Sequence, residues 1–148
     1  MQKKHRKTIE DNKNVSDDKF IANLNIRQEY KNIILTLRKV IAMQCGIPKE
    51  KIHVNTDTKL LYEQGGLVGL DDIAIIIDLE SKLSVEISER IQDNFPRLVK
   101  SWRFFCLGNS VNWNGFGEYA LAVAKYLKNN VELDDSCNQP TASLLADT

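Results

Sequence analysis

The chain is poor in the residue types that most narrow a protein's chemistry. Its 148 residues include 3 cysteines, 3 prolines and 2 histidines, and the formal net charge is zero. Cys45, Cys106 and Cys137 form an odd and widely scattered set, which indicates neither a disulfide framework nor a zinc site. Cys45 and Cys106 sit among apolar neighbours and read as small core residues rather than reactive thiols. With 20 basic residues against 20 acidic ones, no global field draws the chain to nucleic acid or to an anionic membrane. The longest apolar run near the middle, Ile73-Ala74-Ile75-Ile76-Ile77, is far short of the roughly 20 residues that a membrane-spanning helix needs. No apolar stretch follows the opening Met1-Gln2-Lys3-Lys4-His5-Arg6-Lys7, so no secretory signal is read and a cytoplasmic location is expected.

Catalytic and metal chemistry is equally thin. His53 falls in a loop with no second histidine or nearby cysteine at ligand spacing, so no metal is expected there. His5 lies in the polar opening segment, which leaves no Ser/His/Asp or Cys/His set. Gly65-Gly66-x-x-Gly69 opens a helix but lacks the flanking strand and lysine of a nucleotide loop; it reads as turn geometry. No cofactor and no enzymatic activity are expected from these residues.

What is present is helical periodicity. A length of 148 residues with 43% hydrophobic and 27% charged side chains suits one globular domain with tails. Residues 1–24 are polar, with Lys3, Lys4, Arg6, Lys7 and Lys13, and few sizeable apolar side chains (Ile9, Phe20, Ile21, Leu24). Such a segment buries too little surface to offset its ordering entropy, and a flexible basic arm docking only near its end is expected. The folded domain is expected over 25–130. Ile26, Tyr30, Ile33, Ile34, Leu37, Val40 and Ile41 then form one stripe of a helix, with Arg27, Glu29, Lys31, Arg38 and Lys39 off it. Gly46 and Pro48 end that helix. From Pro48 to Gly69 the pattern is loop-like, pinned by Ile52, Val54, Leu60 and Leu61.

A second helix is predicted from Leu70 to Leu83, with Asp71 and Asp72 in the first turn, where the helix dipole favours carboxylates. Its many isoleucines make a strand the rival reading, because they are β-branched. One or two short helices are expected within Ser88–Asn114, which carries Trp102, Phe104, Phe105 and, just beyond its aromatic centre, Trp113. This aromatic patch reads as core, with an exposed partner-binding edge as the alternative. Phe116, Tyr119, Ala120, Val123 and Leu127 mark a last helix over 115–127, capped by Asn114 or Gly115. Residues 131–148, acidic and rich in small side chains, read as a disordered tail.

The order of these pieces resembles the acyl carrier protein family over about residues 27–128. Ile41–Ile52 resembles the end of that family's first helix and the turn after it. Asp57-Thr58-Lys59-Leu60-Leu61 resembles the stretch leading to the modification site, and Gly66-Leu67-Val68-Gly69-Leu70-Asp71 falls on the Gly-x-Asp-Ser-Leu-[Asp/Glu] signature. Asp78–Ile87 is similar to the exit of the family's second helix. The resemblance implies an all-α fold, a four-helix bundle with a long loop between its first and second helices.

It also implies a departure. The family's serine, which carries 4′-phosphopantetheine, is replaced here by Gly69, and no other serine or threonine lies between Lys59 and Glu80. Glycine has no hydroxyl, so no phosphodiester forms. The Gly66-x-x-Gly69-x-Asp71 pattern also resembles a bacterial family of serine-less carrier-like proteins, which supplies no activity. The function the resemblance implies is therefore a non-catalytic, unmodified interaction module that binds or regulates a protein partner, of the lipid- or polyketide-enzyme type. Leu70, Asp71, Asp72, Ile73, Ile77, Asp78 and Glu80 are the expected partner-binding residues. The alternative is a nucleic-acid or membrane-surface adaptor working through the basic arm.

Overall fold

The structure is a computed structural model that describes residue 9 and residues 12–64, 72–98 and 113–131, the side chains of Gln64 and Asp72 apart. Over those residues the chain is all-helical, with six α-helices and no strand: α1 (Asp17–Leu24), α2 (Gln28–Cys45), α3 (Thr58–Gln64), α4 (Asp72–Leu83), α5 (Glu89–Asp93) and α6 (Phe116–Asn130). The strand reading of the isoleucine-rich segment is thereby settled in favour of helix over 72–83. No described helix is long and apolar enough to cross a membrane.

The central element is α2, which packs against α3, α4 and α6. Its buried set is Ile33, Ile34, Leu37, Val40, Ile41, Ala42 and Cys45: the first five belong to the stripe read from the sequence, while Tyr30 is half-buried and Ile26, also half-buried, precedes the helix. Arg38, expected off that stripe, is instead fully buried among them. The helix ends where Gly46 turns left-handed at φ 70°. The Gly46 and Ile47 amides donate back to the Met43 and Ala42 carbonyls, so the last turn leaves few carbonyls without a partner.

The stretch expected to be loop between α2 and α4 is only partly so. A single 3-10 turn spans Lys49–Lys51, and α3 follows. The Asp57 carboxylate accepts the Lys59 amide at 2.9 Å, supplying a partner to the first turn of α3. Leu61 is buried and ties this helix to α2, since the Cys45 thiol donates to the Leu61 carbonyl at 3.3 Å.

Helix α4 buries Ile75, Ile76, Leu79 and Leu83 against α2. It closes with Ser84 in the left-handed region at φ 54°, while the Val85 amide reaches back to the Glu80 carbonyl. Helix α5 is a single turn or so, held to α6 by the Tyr126 hydroxyl, which donates to the Ile91 carbonyl at 2.6 Å.

Helix α6 starts one residue later than expected and runs three further, burying Phe116, Tyr119, Ala120, Val123, Ala124 and Leu127. Gly115, one of the two expected caps, is its N-cap residue and makes no side-chain hydrogen bond there. Its first amides are taken by the loop before α3: Phe116 N–H donates to the Thr56 carbonyl at 2.8 Å and Gly117 N–H to the Val54 carbonyl at 2.9 Å. This close approach needs glycine. A Cβ on Gly115 would lie 2.5 Å from the Val54 oxygen, and one on Gly117 would lie 2.6 Å from the Val54 Cγ1.

The N-terminal segment departs most from the sequence reading. Residues 12–24 are not an arm: α1 lies on the body with Phe20 fully buried, and Ile9 is buried as well. Ser16 accepts the Lys19 amide as an N-cap, and Asn25 ends the helix in the left-handed region. Polar anchoring helps to offset the ordering entropy of this segment. Asn12 and Lys51 exchange hydrogen bonds and the Val15 amide donates to the Glu50 carbonyl, so the segment does not rely on apolar burial alone. The basic residues 3–7 and the tail 132–148 lie outside the described residues.

Candidate partner-binding face and a buried arginine socket

Two features stand out once the fold is laid down. One is the outer face of α4. Ile73 and Ile77, one turn apart, are 60% and 57% exposed, although their neighbours Ile75 and Ile76 are buried. Two isoleucines four residues apart project from the same side of a helix, so together they present an apolar strip to solvent. Met43 on α2 and Tyr62 on α3 are the other exposed large apolar side chains among the described residues.

The remaining residues expected at this face divide. Leu70 and Asp71, with Gly65, Gly66 and Gly69, lie outside the described residues, and Asp72 is described in its backbone only. Asp78 is half-buried and accepts a hydrogen bond from Gln44 Nε2 at 2.9 Å. Glu80 accepts the Ile87 amide at 2.8 Å, which fixes the turn leaving α4. These two carboxylates hold the helix to α2 and to the following loop. Among the described side chains of this set, Ile73 and Ile77 are the exposed ones.

The other residues singled out for chemistry are engaged. His53 is half-buried and its Nε2 meets the Lys13 carbonyl, tying the loop before α3 to the N-terminal segment. Burial pushes the Cys45 thiol up to about 11, so it stays protonated at neutral pH. No cluster of metal-ligating side chains occurs among the described residues. Shallow clefts of about 350–410 Å³ flank the loop over residues 53–59, lined chiefly by Asn55, His53, Asp57 and Lys59. Of the aromatic patch, Trp113 is half-buried; its ring meets Tyr119 edge-on at 5.8 Å and its Nε1 donates to the Arg97 carbonyl at 2.8 Å. Trp113 thus packs on the domain, while Trp102, Phe104, Phe105 and Cys106 lie outside the described residues.

The second feature is the surroundings of Arg38, which joins three segments distant in sequence. Its Nη1 bonds the Asp17 carboxylate at 2.7 Å and its Nη2 the Val15 carbonyl at 2.7 Å. Nε and Nη2 both reach the Ile52 carbonyl, at 3.1 and 2.9 Å. The guanidinium also stacks on the Phe20 ring, 4.4 Å from its centroid, and Phe20 in turn packs on Phe116 at 6.0 Å. The second Asp17 oxygen is held by Lys49 Nζ at 2.7 Å.

A buried charge is tolerable only when paired and hydrogen-bonded, and this one is. Burial lowers the pKa of Arg38, which Asp17 partly restores. Burial alone would raise the Asp17 carboxyl, but hydrogen bonds from Lys49 and Arg38, with their charges, hold it below its ordinary 3.8. Sequence reasoning missed this socket. Only the arginine beside a stripe of seven apolar positions hinted at it, and its partners lie 14 to 23 residues away.

No known family model, curated protein or solved structure matches the chain.

Proposed function

We propose that this chain is a non-catalytic, acyl-carrier-protein-like interaction module that carries no phosphopantetheine and docks a protein partner through α4. The observation that carries this reading is the solvent-facing pair Ile73 and Ile77 on a helix whose other isoleucines are buried. An apolar strip left open on an otherwise well-packed helix is the kind of surface a partner's apolar side chains desolvate. The reading draws further support from the order of helices, in which α2, a long connection holding a short helix, α4, a short α5 and α6 succeed one another as in carrier proteins. It also rests on the residue at the attachment position: Gly69 offers no oxygen for a phosphodiester. The engaged His53 and the protonated Cys45 favour a binding role over a catalytic one. A lipid- or polyketide-type enzyme is the partner class this reading implies.

Two measurements test it. Intact mass after co-expression with a broad-specificity phosphopantetheinyl transferase is expected to stay unchanged, and a gain of one phosphopantetheine arm refutes the reading. A photo-cross-linking residue at position 77 is expected to give a protein adduct that Ile73→Ser abolishes, with none from the exposed position 125 on α6. Equal adducts from both positions would refute docking through α4.

A further inference from the structure

The Arg38 socket is built like a peptide-binding site whose ligand is part of the same chain. The ligand is the segment Val15–Phe20, and the socket reads it at three points. Its backbone is read at Val15, whose amide donates to the Glu50 carbonyl at 2.9 Å and whose carbonyl accepts from Arg38 Nη2. Its charge is read at Asp17, with one carboxylate oxygen on Arg38 and the other on Lys49, both at 2.7 Å. Its aromatic ring is read at Phe20, fully buried between the Arg38 guanidinium and Phe116. Asp17 and Phe20 stand three positions apart on α1 and therefore face the same way.

The rest of α1 adds partly buried contacts, from Ile21 and Leu24 against the core. Asp18, Lys19, Ala22 and Asn23 are exposed, and Ile21 and Leu24 are only half-buried. An eight-residue helix is marginal without its docking contacts, so this segment is expected to open before α2 or α6. An opened socket leaves the guanidinium on the Ile52 carbonyl alone, without its carboxylate, the Val15 carbonyl and the aromatic ring, and those are the contacts a ligand would restore. Only a ligand that brings both an acid and an aromatic ring at the right spacing restores the lost contacts.

We propose that this socket is a recognition site for a partner's helical peptide that carries an acidic residue three positions before an aromatic one, occupied in cis by α1. It is separate from the α4 face and stands or falls independently of it. Exchange with a partner would free residues 12–24 and couple partner binding to their release.

The test uses the full chain and a fluorescent synthetic peptide of residues 12–24. In the Asp17→Ala, Phe20→Ala chain the cis ligand is crippled while the socket is intact. That chain is expected to bind the peptide saturably, at least tenfold tighter than the wild-type chain, whose own segment competes. A peptide bearing Asp17→Ala should bind at least tenfold more weakly than the unaltered one. A milder chain, Asp17→Asn with Phe20→Leu, repeats the measurement with less loss of packing. Should either chain lose its helical circular dichroism, recovery of that signal on adding peptide supports the proposal. Absence of binding by a folded variant, absence of recovery in an unfolded one, or equal binding of the two peptides overturns it.

Discussion

Arg38 concentrates the polar energetics of the fold in one side chain. It has no solvent exposure, yet its side-chain hydrogen bonds all go to chain segments outside its own helix. Each such bond to a charged group is worth roughly 1.5–3 kcal/mol, and leaving a buried charge unpaired costs more. Asp17→Ala is therefore expected to lower stability by about 2 kcal/mol, and Arg38→Met by about 3 kcal/mol. Since both remove the same contact, the double variant should lose clearly less than the sum, as urea unfolding of the four chains would show. Additive losses would mean that the pair is not coupled.

The pH dependence follows from the same pair. The folded Asp17 carboxyl lies below its ordinary 3.8, so its contribution is complete above that value and is lost as pH falls through the lower folded value. Wild-type stability should fall below about pH 4, and Asp17→Asn should flatten that fall while lowering stability by a pH-independent amount from pH 5 to 8. Cys45 gives a simpler expectation. With its thiol pushed up to about 11 and bonded to the Leu61 carbonyl, peptide mapping after iodoacetamide treatment at pH 7.5 should find it unmodified until urea unfolds the chain.

At the scale of elements, α4 and α6 make contrasting claims. Replacing Ile73 or Ile77 with Ser should change stability by less than about 0.5 kcal/mol, because both side chains stand largely in water. Leu79→Ala, in the buried set of the same helix, should cost about 2–5 kcal/mol. A large loss from Ile77→Ser would show that this side chain is packed rather than offered. In α6 the decisive contact is backbone to backbone. Gly115→Ala and Gly117→Ala each force Val54 away from the helix start and should cost about 1–3 kcal/mol, the range for overpacking, whereas a side chain at Gly46 meets nothing within 4 Å and is opposed only by the left-handed backbone at φ 70°.

The same elements show how far sequence reasoning reached. The stripe of α2 and that of α6 were legible because a buried face repeats every three to four residues over four or five turns. Helix α3, read as loop, has seven residues and fewer than two full turns, too short for a period to declare itself. The α4 face was legible only in outline. Excess isoleucine announced more apolar surface than one core contact needs, but not which residues are covered. Asp78 and Glu80 looked like surface acids because their partners, Gln44 and the Ile87 amide, are set by packing and by the turn after the helix.

For the whole molecule, α2 is the shared wall on which α3, α4 and α6 rest, and its core residues from Ile33 to Ile41 are almost wholly excluded from solvent. Amides in that stretch should exchange with solvent last in a native-state deuterium experiment, and those of α1 well before them. Equal protection of α1 and α2 would mean that the N-terminal segment opens only with global unfolding.

The sequence by itself determined that this chain builds helices, where the long ones run, and that residue 69 has no oxygen to bear a prosthetic group. Those are properties of local periodicity and of covalent structure, and no tertiary contact alters them. Tertiary structure alone decided that the N-terminal segment belongs to the folded body, that Arg38 is buried, and that Ile73 and Ile77 face outward while Ile75 and Ile76 do not. Each depends on which distant groups meet: a carboxylate 21 residues before an arginine, or two loop carbonyls at the start of a helix some 60 residues later. Such pairings leave no period in the sequence, because they are fixed by how the helices pack and not by how each one is written.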